Sequence, residues 1–442
     1  MNQLFITKQK GIGWILAMGI LLGVSTYLLP TVPSLKILMG FVVICLIFWK
    51  TELGLYGAVV AMPIVTFKYI SLLIFYTFLC YLIKKLYKKE SLNLTPVDGG
   101  LLVFFIILTF SSVFSITLNQ SLKELFVYAS ILLMVFMVSR DLNKKELNTL
   151  LMCLVITATL VAILGIVQYS TGDMGGHGWV DVKTNPNLKA RAYSTMENPN
   201  ILAEYLVIAC SMSVALFLDS KNRLRKILLF LSTGITLLCL LMTFSRGGWM
   251  AFMLAFVMII LVENKKIIPI GLLLGMASLF FLPEVVMDRL KTIGSLKDTS
   301  NAYRFSIWAA ALRMLKDFWL SGVGLGYEAF MKAYPNYMLS GIKAAHSHNS
   351  YLQLAIETGI FGLLAFLYNL FKTYTAGIMV LMRSVQSFQK RITIAAMGAI
   401  SGLLLHGLVE HILFDYRVIF SFWLMIAIIL AAYRQTHETS KA

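Results

Sequence analysis

The stretch "LNTLLMCLVITATLVAILGIVQYS", Leu147 to Ser170, decides the architecture. It contains no charged side chain, and a helix of about 20 apolar residues crosses the hydrocarbon core of a bilayer. Lys144, Lys145 and Glu146 stand just before it. A segment rich in glycine, asparagine and proline follows it, from Ser170 to Asn200. A charged border, an apolar run and a polar loop make one membrane crossing.

Working outward, the pattern recurs. Apolar runs begin near Ile12, Leu35, Leu53, Tyr69, Gly99, Leu122, Leu147, Ile201, Ile227, Gly248, Ile267, Gly359, Ile392 and Val418. The second to fourth are short and could be tilted, broken or merged. The expected fold class is therefore all-α, a polytopic transmembrane helical bundle of about 12 to 14 spans. Composition agrees. Of 442 residues, 59% are hydrophobic and 13% charged, against about 25% charged in soluble domains.

The net charge of +17 does not point to nucleic acid, because no basic stripe is present. More than half of the 38 Lys and Arg fall in short breaks that alternate with the spans. These are Lys8 and Lys10, Lys50 to Glu52, Lys84 to Glu90, Arg140 to Glu146, Asp219 to Lys226, Glu263 to Lys266, Arg383 to Arg391, and the tail from Arg434. That is the positive-inside pattern, which places both termini in the cytoplasm. The run from Ile12 to Leu29 is too long for a signal-peptide core and reads as a retained first span. Cys45, Cys80, Cys153, Cys210 and Cys239 all lie within apolar runs and read as small buried hydrophobes.

Two segments on the expected outer side are long: 170–200 and 283–350. Long loops in compact proteins usually carry function. The chain divides into N-terminal spans (1–169), a motif-bearing core (170–362), and C-terminal spans with a short tail (363–442).

Four outer motifs carry candidate chemistry. In "RAYSTMENPNILAEYL", Arg191 to Leu206, the Asn-Pro pair breaks local structure and Asn200 can cap the helix that follows. In "TFSRGGW", Thr243 to Trp249, Arg246 either snorkels at a membrane border or binds phosphate, to which a guanidinium pairs bidentately. In the stretch Asn301 to Phe330, Arg304 opens a helix with Trp308 and Leu312 on one face. There Gly322, Gly324 and Gly326 read as turn formers, and Arg313 and Lys316 as a solvated or headgroup-facing side. In "HSHNSYLQLAIETGIFG", His346 to Gly362, His-x-His could bind metal, but a third ligand at suitable spacing is missing. His348 suits a general base. Glu357 could pair with an arginine or sit at the helix mouth.

Taken together, these motifs resemble the O-antigen ligase and O-antigen polymerase superfamily of bacterial envelope proteins. His348 and Asn349, followed after nine residues by Gly359 and then by Gly362, match its signature. "SRGGW", "ENPNILA" and the "GVGLG" stretch look like its other recurring segments. The resemblance implies a GT-C-like bundle in the cytoplasmic membrane. It also implies an enzyme that moves a glycan from undecaprenyl diphosphate to an acceptor hydroxyl on a glycan or lipid-glycan, at the outer face. No metal or cofactor is implied. Arg246, Arg304 and His348 would be catalytic. Arg191, by its position ahead of "ENPN", together with His346, Asn349 and Glu357, would bind substrate, and His346 could stand in for His348. The motifs mark a shared donor site and do not separate ligase from polymerase. A transporter or flippase of lipid-linked glycans is the alternative. It would need ionisable residues at mid-membrane depth, for which Lys123 and Lys372 are the best candidates.

Overall fold

A computed structural model describes residues 31–90, 94–172, 190–264, 299–339 and 341–441, with positions 19, 23 and 287 in isolation. The described residues form fourteen α-helices and no strand. They are α1 Thr31–Trp49, α2 Glu52–Ala61, α3 Phe67–Lys88, α4 Asp98–Val113, α5 Leu118–Asp141, α6 Lys144–Thr171 and α7 Pro199–Asp219. Then come α8 Arg223–Met242, α9 Arg246–Asn264, α10 Thr299–Phe318, α11 Tyr327–Ala333, α12 Ser350–Arg383, α13 Ser387–His406 and α14 Tyr416–Lys441.

Eight of these helices are long and apolar enough to cross a membrane, and three shorter ones are apolar. The chain is a polytopic helical membrane protein. Twelve of the fourteen expected runs fall on helices. The runs near Ile12 and Ile267 lie outside the described residues, as do 173–189 of the first long loop and most of 283–298 of the second. At ten residues, α2 reaches only about 15 Å, half the thickness of a hydrocarbon core. Here the short-run alternative holds. The run expected from Gly359 also differs: its helix starts at Ser350, and Gly359 is a kink within it, with φ +71°.

The core is built around α7 and α14, which are buried along most of their length. Close packing follows from small residues. Gly398 and Gly402, one turn apart on α13, lie against the backbone of Ala255 and Ala251 on α9, and a Cβ at Gly402 would come 2.2 Å from the Ala251 carbonyl oxygen. Small residues four apart let membrane helices approach closely where no hydrophobic drive separates lipid from protein. This contact brings the first residues of α9 against the last residues of α13.

The segments grouped by the charge pattern do sit together. Lys84 donates to the Trp49 carbonyl at 2.7 Å, and Lys85 pairs with Asp141 at 2.8 Å. Arg225 donates to Asn148, Lys144 to Gln386, and Arg391 bridges Glu263 and Asp219 at 3.0 and 3.3 Å. Arg434 donates to the Leu142 carbonyl. The four motifs expected on the outer side converge at the other end of the bundle.

Candidate active site

Four helix ends and the breaks beside them build the site. The first break, 190–198, is held by Ala192, whose N–H donates to the Met242 carbonyl, and by Arg417, whose guanidinium donates to the Thr195 carbonyl at 2.6 Å. The α7 cap corrects the sequence reading. Asn198 is the N-cap, accepting from the Asn200 N–H at 2.8 Å, with Pro199 at the first helical position. Asn200 is thereby released for another task. Its Oδ1 accepts from Arg191 at 2.9 Å, and its Nδ2 donates to Glu410 at 3.1 Å. Arg191 also donates to the Thr243 carbonyl at 2.7 Å, which ties the first motif to the second.

The second motif turns through Phe244, at φ +51°, into α9. Arg246 is the first residue of α9 and is half-buried. Beside it Gly247 touches the His406 ring so closely that a Cβ would come within 2.1 Å of Cδ2. His406 itself is buried, with Nδ1 3.6 Å from the Glu204 carboxylate.

The fourth motif centres on His348. Its backbone is left-handed, at φ +48°, a conformation that costs a non-glycine residue energy and tends to cluster at functional sites. Its N–H donates to Nδ1 of His346 at 3.2 Å, and its carbonyl accepts from the Trp308 indole at 3.3 Å. Asn349 caps α12 through the Leu352 N–H and donates to the Leu408 carbonyl, both at 2.9 Å.

At the centre stands a residue that sequence reasoning passed over. Glu410 lies in the break between α13 and α14 and is 7% exposed. Its Oε1 is 2.7 Å from His348 Nδ1 and 4.0 Å from His346 Nδ1, and its Oε2 is 3.6 Å from the Arg304 guanidinium. Burial alone would raise its carboxyl. The His348 hydrogen bond and the charges of His348, His346 and Arg304 outweigh burial and hold it well below the ordinary value. Burial has the opposite result for the neighbouring rings. It lowers His346 to about 4, against the pull of Glu410, and it lowers His411 as well. Titratable groups shifted in this way and clustered together are common at functional sites.

Of the expected site residues, Arg304, His346 and His348 thus meet at Glu410, and Arg191 reaches it through Asn200. Arg246 heads the adjoining helix. Glu357 has a different place. It is buried, accepting from the Gly326 N–H at 3.1 Å and from the Gln353 amide at 2.8 Å. Its backbone carbonyl accepts from Ser111 at 2.5 Å and from the Gly324 N–H at 3.2 Å. Glu357 therefore pins the glycine turn, whose Gly322, Gly324 and Gly326 all have positive φ, to α12. The turn-former reading of those glycines agrees. A Cβ on Gly322 would come 2.2 Å from the Glu357 carbonyl oxygen.

The third metal ligand missing from the motif is present in space. Ligand atoms of His346, His348 and Glu410 lie within 4.8 Å of one another. A cation held there would share Glu410 with the Arg304 guanidinium, which already supplies positive charge at 3.6 Å.

Residues 231–367 match the family model described as O-antigen ligase. The match spans Arg246, Arg304, His346 and His348, and it bears out the resemblance drawn from the motifs. Among curated proteins none matches the chain. The O-antigen ligase region supports a glycosyltransferase of the ligase or polymerase type in a multi-pass membrane protein. Glu410 and Asn200 lie outside the matched residues, one on each side of them.

Proposed function

We propose that this protein transfers a glycan from undecaprenyl diphosphate to an acceptor hydroxyl at the outer face of the bacterial cytoplasmic membrane. The observation that carries the reading is the 2.7 Å contact between His348 Nδ1 and Glu410, with the Arg304 guanidinium on the other carboxylate oxygen. An ionised Glu410 keeps the proton of a neutral His348 on Nδ1, so Nε2 is the basic atom. The acceptor hydroxyl gives its proton to Nε2 as its oxygen attacks the anomeric carbon. The bond to the diphosphate breaks in the same step, and the configuration inverts. A positioned base of this kind is worth about 10² to 10⁴ in rate. The carboxylate also stabilises the imidazolium that forms, as in a catalytic triad.

The departing diphosphate gathers negative charge. Arg304, Arg246 and Arg191 answer it, binding the transition state more strongly than the ground state. In this role they need no metal and no nucleotide. Asn349 and Glu357 serve by holding the His348 backbone and the glycine turn in place. The lipid tail lies among the spans, and the basic end of the bundle faces the cytoplasm.

The test is to incubate purified protein with lipid-linked glycan and a panel of acceptors. Longer glycans on the lipid identify a polymerase, and transfer to another molecule identifies a ligase. Movement of the lipid across proteoliposomes with no new glycosidic bond would replace both with a flippase.

A further inference from the structure

Helix α10 has two apolar faces, and among the described residues only one of them is packed against the rest of the protein. Ile307, Ala310, Ala311 and Met314 are fully buried and pack with Phe330, Tyr334 and Ile356. On the opposite side Phe305, Leu312 and Trp319 are about half exposed. Among the described residues, Ala309, Leu312, Arg313, Leu315, Lys316 and Trp319, all on or just past α10, line an open, shallow groove, with both cations exposed at its edge. The one nearby acid on the helix, Asp317, is engaged by the Tyr337 hydroxyl at 2.6 Å.

The depth of this groove follows from the α12 kink. The Trp319 carbonyl accepts from the Ile360 N–H at 2.8 Å, and the Leu320 carbonyl lies against Gly359. From that point α12 exposes Phe361, Leu364, Tyr368 and Phe371, an apolar stripe of the kind lipid tails cover. Before it come Gln353 and Glu357, with His348 and Asn349 just ahead of the helix. The end of α10 is therefore fixed at the level where the chain passes from polar to apolar surroundings. A helix face with Trp, Phe and Leu beside Lys and Arg is of the kind that suits a membrane interface.

We propose that this groove binds an anionic phospholipid of the bilayer. Its phosphate would sit between Arg313 and Lys316, and its upper acyl chain against Leu312 and Trp319. Arg304 stands on the same helix, so lipid binding would also steady that guanidinium. The charge on the lipid is what the two cations select, because each basic residue near a membrane surface favours anionic over neutral lipid.

Binding can be read without turnover, so the proposal stands or falls apart from the transfer reaction. Delipidated full-length protein in detergent would be titrated with phosphatidylglycerol and with phosphatidylcholine, and bound lipid counted by native mass spectrometry. Phosphatidylglycerol should be preferred by roughly tenfold. The double variant Arg313→Gln, Lys316→Gln should lose that preference, and the charge-keeping exchange Arg313→Lys, Lys316→Arg should retain it. Equal retention of both lipids by the unaltered protein, or an unchanged preference in the double Gln variant, overturns the proposal. So does displacement of the bound phosphatidylglycerol by undecaprenyl diphosphate, which would assign the groove to the donor.

Discussion

His348 and Glu410 meet at 2.7 Å, although 62 positions of sequence separate them. The carboxylate belongs to the break before the last helix, and the imidazole to a motif ahead of α12. If Glu410 orients His348 and stabilises its imidazolium, Glu410→Gln should lower kcat by about 10² to 10⁴ while membrane abundance holds. Glu410→Asp should recover part of the loss. Full activity of a well-expressed Glu410→Gln protein, assayed with lipid-linked glycan, would remove the pair from the mechanism.

The arginines should tolerate even conservative exchange poorly. Arg304→Lys and Arg246→Lys keep the charge and lose the planar fork that pairs with two phosphate oxygens. Transition-state stabilisers of this kind are worth about 10² or more in kcat. The expected signature is a fall in kcat that exceeds any rise in the donor KM. A change in KM alone would mean that the arginines bind donor and transition state equally.

Gly247 offers a steric test. Gly247→Ala places a methyl within 2.1 Å of the His406 ring, so the buried ring or α9, with Arg246 at its head, must shift. Activity should fall at least tenfold, since small displacements of positioned groups are costly. Trimming the ring with His406→Ala in the same chain should restore part of it. A fully active Gly247→Ala protein would show that the junction of α9 and α13 gives way without consequence.

Acid should loosen the end of the bundle that holds His346 and Glu410. His346 falls from 6.5 to about 4 on folding, chiefly through burial. The unfolded chain therefore binds more protons between those values, and stability is lost as pH drops through that window. Glu410 acts in the same direction at lower pH, because its folded carboxyl is held well below the ordinary 4.5. The thermal unfolding midpoint in detergent should decline below about pH 6.5. His346→Phe should make that decline shallower between pH 6.5 and 4, leaving the part due to His411. A midpoint that is level across the window would contradict a buried neutral His346.

Chelation separates two uses of the same side chains. With arginines carrying the diphosphate charge, activity should survive exhaustive treatment with EDTA. Loss of transfer that a divalent cation restores would reassign His346, His348 and Glu410 as ligands.

Much of the fold was readable because lipid imposes a length and a polarity on every crossing. Leu147 to Ser170 became α6 almost residue for residue. The charged borders grouped correctly, since Lys85, Lys144, Arg225 and Arg391 contact one another's segments. Helix lengths near Leu53 and Gly359 were less legible. Hydropathy does not register a glycine with positive φ or a helix too short to cross. In the site, Arg191, Arg304, His346 and His348 stood out because charge is rare in such a chain. Glu410 was missed because its break looks too brief to matter. A signal was present: "HGLVEHILFD", His406 to Asp415, holds two of the chain's six histidines and two acids within ten residues. Asn200 was misjudged for a different reason. Two asparagines flank Pro199, and only the backbone geometry shows which one caps the helix.

Asn200 receives a guanidinium on its oxygen and offers its nitrogen to a carboxylate. An acid in its place would cancel Arg191, and a base would cancel Glu410. The neutral amide adds no charge of its own and serves as a mechanical link: it fixes the spacing of two opposite poles, each of which also holds partners elsewhere in the site.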